Sequence, residues 1–92
     1  MSSETLDQIA TVLAAAGPAH HAAYIDTDGD DPEWPLWYAT HVIEDLRRIL
    51  DQPDLTVSRV VWAFVDSDVS HRRDVPGTPW HTHYAERFVG SL

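Results

Sequence analysis

The sequence predicts an all-α fold, a compact bundle of four to five short helices, and three observations carry that expectation. Apolar residues recur at helical spacing in each long segment, and proline or glycine falls where those segments begin or end. The one stretch with strand character finds no second convincing strand to pair with. A lone strand leaves its backbone N–H and C=O groups without partners, whereas a helix satisfies them internally.

In "SETLDQIATVLAAAGP", Leu6, Ile9, Leu13 and Ala16 share a helical face with Val12 beside them. Thr5 and Gln8 have the spacing of a capping box, and Gly17-Pro18 is a stop signal, so the first helix is expected over about residues 4–16. Pro18 can open a second, shorter helix through "AHHAAYID", because a proline at the first helical position gives up an amide hydrogen that lacks a partner there anyway. The acidic "DTDGDD" ends it.

The clearest periodicity runs from Pro35 to about Asp51: Leu36, Ala39, Val42, Ile43, Leu46, Ile49 and Leu50 fall on one side, with Glu44, Arg47, Arg48 and Asp51 on the other. Pro53 and Asp54 then make a short connection, which favours an antiparallel neighbour. In "TVSRVVWAFVDSDVSHRR", Val60, Val61, Trp62, Phe64 and Val65 have strand propensity. Val57, Val61, Phe64 and Val65 also keep helical spacing, and the missing partner strand decides for a helix. At "PGTPW", Thr78 can cap and Pro79 can open a last helix in which Trp80, Tyr84, Phe88 and Leu92 follow at every fourth position.

Setting "WPLWYATHVIEDL", 34–46, beside "WHTHYAERFVGSL", 80–92, matches Trp, Tyr, Ala and Leu at an offset of 46 and aligns Val42 with Phe88 and Ile43 with Val89. Two related helical hairpins folded face to face leave such a match. A shared way of starting a helix on an aromatic residue leaves it as well.

With 92 residues the chain is long enough for one helical domain, 1–92, and too short for two independent cores. The absence of cysteine removes disulfides, thiolate nucleophiles and cysteine-bound metals. Fifteen acidic residues against six arginines and no lysine give a formal charge of −9. That balance repels a phosphate backbone, so no nucleic-acid partner is expected. It suits a basic partner, a divalent cation or plain solubility. The leading segment is acidic at Glu4 and Asp7, with no basic residue before Arg47, and no apolar run reaches bilayer length. A cytoplasmic location without membrane contact is therefore expected. There is no phosphate loop and no nucleophile elbow, and no cofactor is expected.

Within each repeat the Trp and the Tyr lie four apart, so Trp34/Tyr38 and Trp80/Tyr84 read as core pairs, with nearby carboxylates to accept the hydroxyls. Trp37 differs. It falls on the polar side with His41, Glu44 and Arg48, either covered by the acidic loop or another helix, or exposed as an anchor. Trp62, also off its main arc, raises the same choice. The functional expectation is accordingly a small acidic noncatalytic module that binds a protein partner or itself, with Trp37, His41, Glu44 and Arg48 as its contact residues. One rival is a metal site assembled across helices from His20, His21, His41 and His81 with Asp26 or Asp68, suited to zinc or nonheme iron. The other is a small-molecule pocket between helices, lined by Trp, Tyr and His. The run "DTDGDDPE" fails as an EF-hand, since counting from Asp26 puts Asp31 at the sixth position and Trp37 at the twelfth. A solvated acidic turn with Asx capping accounts for it better. Asp68, on an apolar arc, is expected to pair with Arg72 or with a histidine across the core.

Overall fold

Four amphipathic helices account for the chain in the structure, a computed structural model that describes residues 3–92. They are α1 (Ser3–Ala23), α2 (Trp34–Ile49), α3 (Val57–Asp74) and α4 (Trp80–Ser91), with a short 3₁₀ turn at Ile25–Thr27. No strand occurs among the described residues, and the valine-rich stretch around Val60 is helical. No helix among them is long and apolar enough to cross a membrane.

The main departure from expectation lies in α1, which runs unbroken through Gly17 and Pro18. The expected second helix is therefore the last part of the first. Helical geometry before a proline is disfavoured by contact between the proline Cδ and the preceding residue's Cβ, and Gly17 has no Cβ. The proline still removes one backbone donor, but the face that spans it is buried at Ile9, Leu13, Ala16 and His20, and that packing holds the helix together. Thr5 lies inside α1 rather than at its cap.

The remaining ends have local causes. At the end of α2, Asp51 adopts φ 52°, the Gln52 N–H reaches the Arg47 carbonyl and the Asp51 N–H that of Arg48, a Schellman closure with aspartate in glycine's usual place. Thr56 caps α3 by accepting from the Arg59 N–H at 3.2 Å. Pro79, not Thr78, stands at the cap position of α4, and no side chain caps it.

α1 packs on α2 and α4, and α3 packs on the same two, so the helices form a ring in chain order. Gln52 Nε2 donates to the Leu92 carbonyl and Arg59 to that of Ser91, joining the start of α3 to the end of α4. Trp80, at the start of α4, packs over Gly17 near the end of α1. Each helix thus runs opposite to its neighbours. The core comprises Ile9, Leu13 and Ala16, Ala39, Val42, Ile43 and Leu46, Leu55, Val60, Ala63 and Phe64, and Tyr84, Ala85 and Phe88. Leu36, a turn before the buried arc of α2 begins, is 49% exposed, and Val65, one step around α3 from Phe64, is 44% exposed.

The repeat has a structural counterpart. Ala39 and Ala85 are both buried, as are Val42 and Phe88, and the two helices sit diagonally across the ring. The buried faces of α1 and α3 also correspond at an offset of 51, Ile9 with Val60, Leu13 with Phe64 and Ala16 with Ser67, and the buried His20 has the half-buried His71 as its counterpart. The difference of five from the offset of α2 and α4 is the difference between the ten-residue connection 24–33 and the five-residue connection 75–79. In each hairpin the histidine bonds to that connection, His20 to Asp31 and His71 to the Thr78 carbonyl, and packs on the tyrosine of the following helix.

Candidate functional site

At the end of the ring where α1 and α3 finish and α2 and α4 begin, the paired aromatics do not close. They line an open cleft of about 370 Å³, similar in volume to the other surface grooves and set apart from them by its aromatic lining. Trp34 and Tyr38 form one wall and Trp80 and Tyr84 the other, with Phe64 behind them. The rings meet edge to face: Trp34 with Tyr38 at 6.0 Å and 80°, Trp80 with Tyr84 at 5.1 Å and 76°, and Tyr38 with Trp80 at 6.0 Å and 74°. Such contacts are the preferred arrangement of neighbouring rings. Of the four, Tyr84 is buried as expected, whereas Trp34, Tyr38 and Trp80 are half-buried and line the cavity rather than fill the core.

The polar part of the lining comes from His20 of α1, from Gly29, Asp30 and Asp31 of the first connection, and from Asp68 of α3. Asp31 fixes the connection to the bundle. Its Oδ2 lies 3.0 Å from His20 Nε2, and its Oδ1 accepts from the Glu33 N–H at 3.0 Å, an Asx turn ahead of α2. A carboxylate only accepts, so the proton of the first bond sits on Nε2. The expected solvated acidic turn therefore holds at Asp26, Asp28 and Asp30, which are exposed, and fails at Asp31, which is buried. Gly29 closes the turn at φ 86°, and a Cβ there would lie 2.8 Å from His21 Nδ1. The position admits only glycine without local rearrangement.

On the opposite side Asp68 takes two partners, the Tyr84 hydroxyl at 3.0 Å on Oδ1 and Arg72 at 2.8 Å on Oδ2. The expected Asp68–Arg72 pairing is thus present. Burial first, then the Asp68 charge and hydrogen bond, push the Tyr84 phenol far above its ordinary value of 10.0. Burial alone raises Tyr38. The Tyr38 hydroxyl has no hydrogen-bond partner among the described residues, because the position in α1 corresponding to Asp68 is Gly17.

The residues singled out from sequence lie elsewhere or apart. Trp37 is half-buried on the outer side of α2, in edge contact with His20 and Tyr38 and stacked on His41 at 4.7 Å and 15°. His41, Glu44 and Arg48 are exposed beyond it, with Glu44 paired to Arg47 and Arg48 to Asp45. Leu36, Trp37, Thr40 and His41 border a second open groove of about 350 Å³ with Tyr24 and Glu33. The four candidate metal ligands do not converge: His20 is bound to Asp31, exposed His21 faces Asp28 at 3.9 Å, His41 stacks on Trp37, and His81 has its ring contact with the adjacent Trp80. Among the described residues no three His, Asp or Glu side chains are arranged to hold a metal ion.

Trp34, Tyr38, Trp80 and Tyr84, expected as core pairs, are the Trp and Tyr that line this space, as the expectation of a pocket between helices has it without naming them. The signal was present in the repeat itself, which places like rings at the same level of two diagonal helices. Comparison with family models, with curated proteins and with solved structures finds no match to this chain, so its site is read from its own residues.

Proposed function

We propose that this protein binds a small molecule in the aromatic cavity at the end of the bundle. The observation that carries the reading is the convergence of Trp34, Tyr38, Trp80 and Tyr84 on one space that none of them fills. Burying a large aromatic side chain contributes about 1.5–3 kcal/mol, so leaving three of these rings half-exposed at one spot forgoes stabilisation that a closed core would have. Rigid walls, a few fixed polar groups and the latched connection are the usual composition of a ligand site. Titrating the protein with a set of small aromatic and aliphatic fragments, while following the tryptophan indole N–H signals by nuclear magnetic resonance, tests this directly. Ligands are expected to move the Trp34 and Trp80 signals and leave Trp62, which is 54% exposed on α3, in place. Movement of none, or of all four tryptophans equally, would rule the cavity out.

A second reading, the docking of a protein partner or a second copy on the outer side of α2, is favoured by a separate observation: Leu36 is exposed beside the Trp37–His41 stack and the Glu44 and Arg48 charges continue that face. Sedimentation at rising protein concentration should then show association that Leu36→Asp abolishes, since Leu36 is the apolar residue on that face with least structural duty. An unchanged monomer at every concentration removes self-association.

A further inference from the structure

The lining of the cavity carries a sign. Three aspartates and no arginine face it, with His20 as its single basic residue. The helix dipoles do not offset that charge: α2 and α4 present their N-termini at this end and α1 and α3 their C-termini, so about two half-charges of each sign cancel. Arg72 reaches Asp68 from outside the cavity, and the exposed Asp30 carboxylate at the rim has no ion pair or hydrogen bond among the described residues. Two indoles and two phenols line the same space, and aromatic rings of this kind attract a cation placed over their faces.

The hydrogen-bond state of the carboxylates narrows the cation further. Both oxygens of Asp31 are engaged, by His20 and the Glu33 N–H, and both oxygens of Asp68, by Tyr84 and Arg72. Inside the cleft they can attract a charge at a distance but leave no bare carboxylate for a guanidinium, which recognises carboxylates through paired N–H donors; the bare carboxylate of the lining, Asp30, lies at the exposed rim. A bare metal ion needs several oxygen or nitrogen ligands in direct contact, and none are grouped for it among the described residues. A cation with no N–H groups and an apolar shell fits both constraints, and the unpartnered Tyr38 hydroxyl can accept or donate one further bond.

Resting on the small-molecule reading above, we propose that the ligand is a small quaternary ammonium compound of choline's kind, its methylated head held against Trp34 and Trp80 under the charge of Asp30, Asp31 and Asp68. The test is calorimetry, with the indole N–H signals in parallel, on the full chain with three probes: choline, its uncharged carbon isostere 3,3-dimethylbutan-1-ol, and glycine betaine. Choline is expected to bind, to move Trp34 and Trp80 but not Trp62, and to bind at least about tenfold more tightly than the isostere. Betaine should bind more weakly than choline because its carboxylate meets Asp30. Asp30→Asn, at an exposed position, should weaken choline about two- to fivefold and leave the isostere unchanged. Equal binding of choline and its isostere, or preference for betaine, overturns the ammonium inference while leaving the cavity reading intact. So does movement of Trp34 and Trp80 by a neutral aromatic fragment such as phenol but by none of the three probes. No movement by any probe or fragment overturns both.

Discussion

Replacing Asp31 by alanine removes the group that ties the connection 24–33 to the bundle, and the structure sets the size of the effect. The carboxylate and His20 are both buried, 9% and 7% exposed, and 3.0 Å apart. A buried hydrogen bond involving a charged group contributes about 1.5–3 kcal/mol, and its loss leaves the imidazole without a partner. The second bond, to the Glu33 N–H just ahead of α2, acts as a cap does and is worth about 0.5–2 kcal/mol. The two share one side chain and are not independent, so a loss of about 2–4 kcal/mol is expected. For a chain of this length that lowers the thermal midpoint by about 10–25 °C. Asp31→Asn keeps an acceptor for the Glu33 amide and should lose about half as much. Asp30→Ala, one residue earlier and exposed, should stay within about 0.5 kcal/mol. Circular dichroism melts of the three variants at neutral pH decide it. A midpoint for Asp31→Ala no lower than that of Asp30→Ala would show that the connection is not latched, and the cavity would lose its rim.

Three further outcomes follow from the same geometry. Pro18→Ala restores a backbone donor inside α1 at an exposed position, and proline in a helix interior costs about 3 kcal/mol relative to alanine; chemical unfolding should show a gain of about 1–3 kcal/mol, and no gain would mean that the helix does not run through residue 18. Trp37→Ala should cost about 2 kcal/mol, because its ring is in contact with His20, Tyr38 and His41, whereas Trp62→Ala should cost under about 0.5; equal losses on unfolding would refute that difference in burial. The raised Tyr84 phenol gives stability that is whole below the unfolded value near 10 and is lost as pH climbs through the higher folded value. Phenolate absorbance during alkaline titration should therefore show the last tyrosine ionising together with unfolding, and in Tyr84→Phe that last step should disappear while the smaller upward shift of Tyr38 remains.

Helix content and most of the core were legible because they depend on spacing. The arc Ala39, Val42, Ile43, Leu46 needs only a period near 3.6 to be found, and all four are buried. The fate of Gly17-Pro18 was not legible, since the same two residues end a helix or pass through one according to whether the buried face continues beyond them, and His20 continues it. Asp31 was hidden among three other aspartates, Asp26, Asp28 and Asp30. Only the fold singles it out, by placing His20 three angstroms from it. The histidines His20, His21, His41 and His81 have no ligand spacing in the sequence, and the fold gives them separate polar or ring partners with no convergence on one point.

The two hairpins are alike enough that their differences locate the site. Each supplies a Trp and a Tyr at the start of its second helix and a histidine near the end of its first. Had both halves also carried an aspartate where Asp68 stands, both tyrosine hydroxyls would be taken, and the pair would be a symmetric structural clamp. Gly17 breaks that symmetry on one side: Trp80 packs across it, and the Tyr38 hydroxyl has no partner among the described residues. On the same side the connection is five residues longer, and the added length carries Gly29, Asp30 and Asp31 to the rim. The first change leaves a hydroxyl without a protein partner, and the second lengthens a loop whose closure cost the buried Asp31–His20 bond offsets. Together they give one half of the aromatic cluster an unpartnered hydroxyl and a charged edge that the other half lacks, and the proposed cationic ligand draws on that difference.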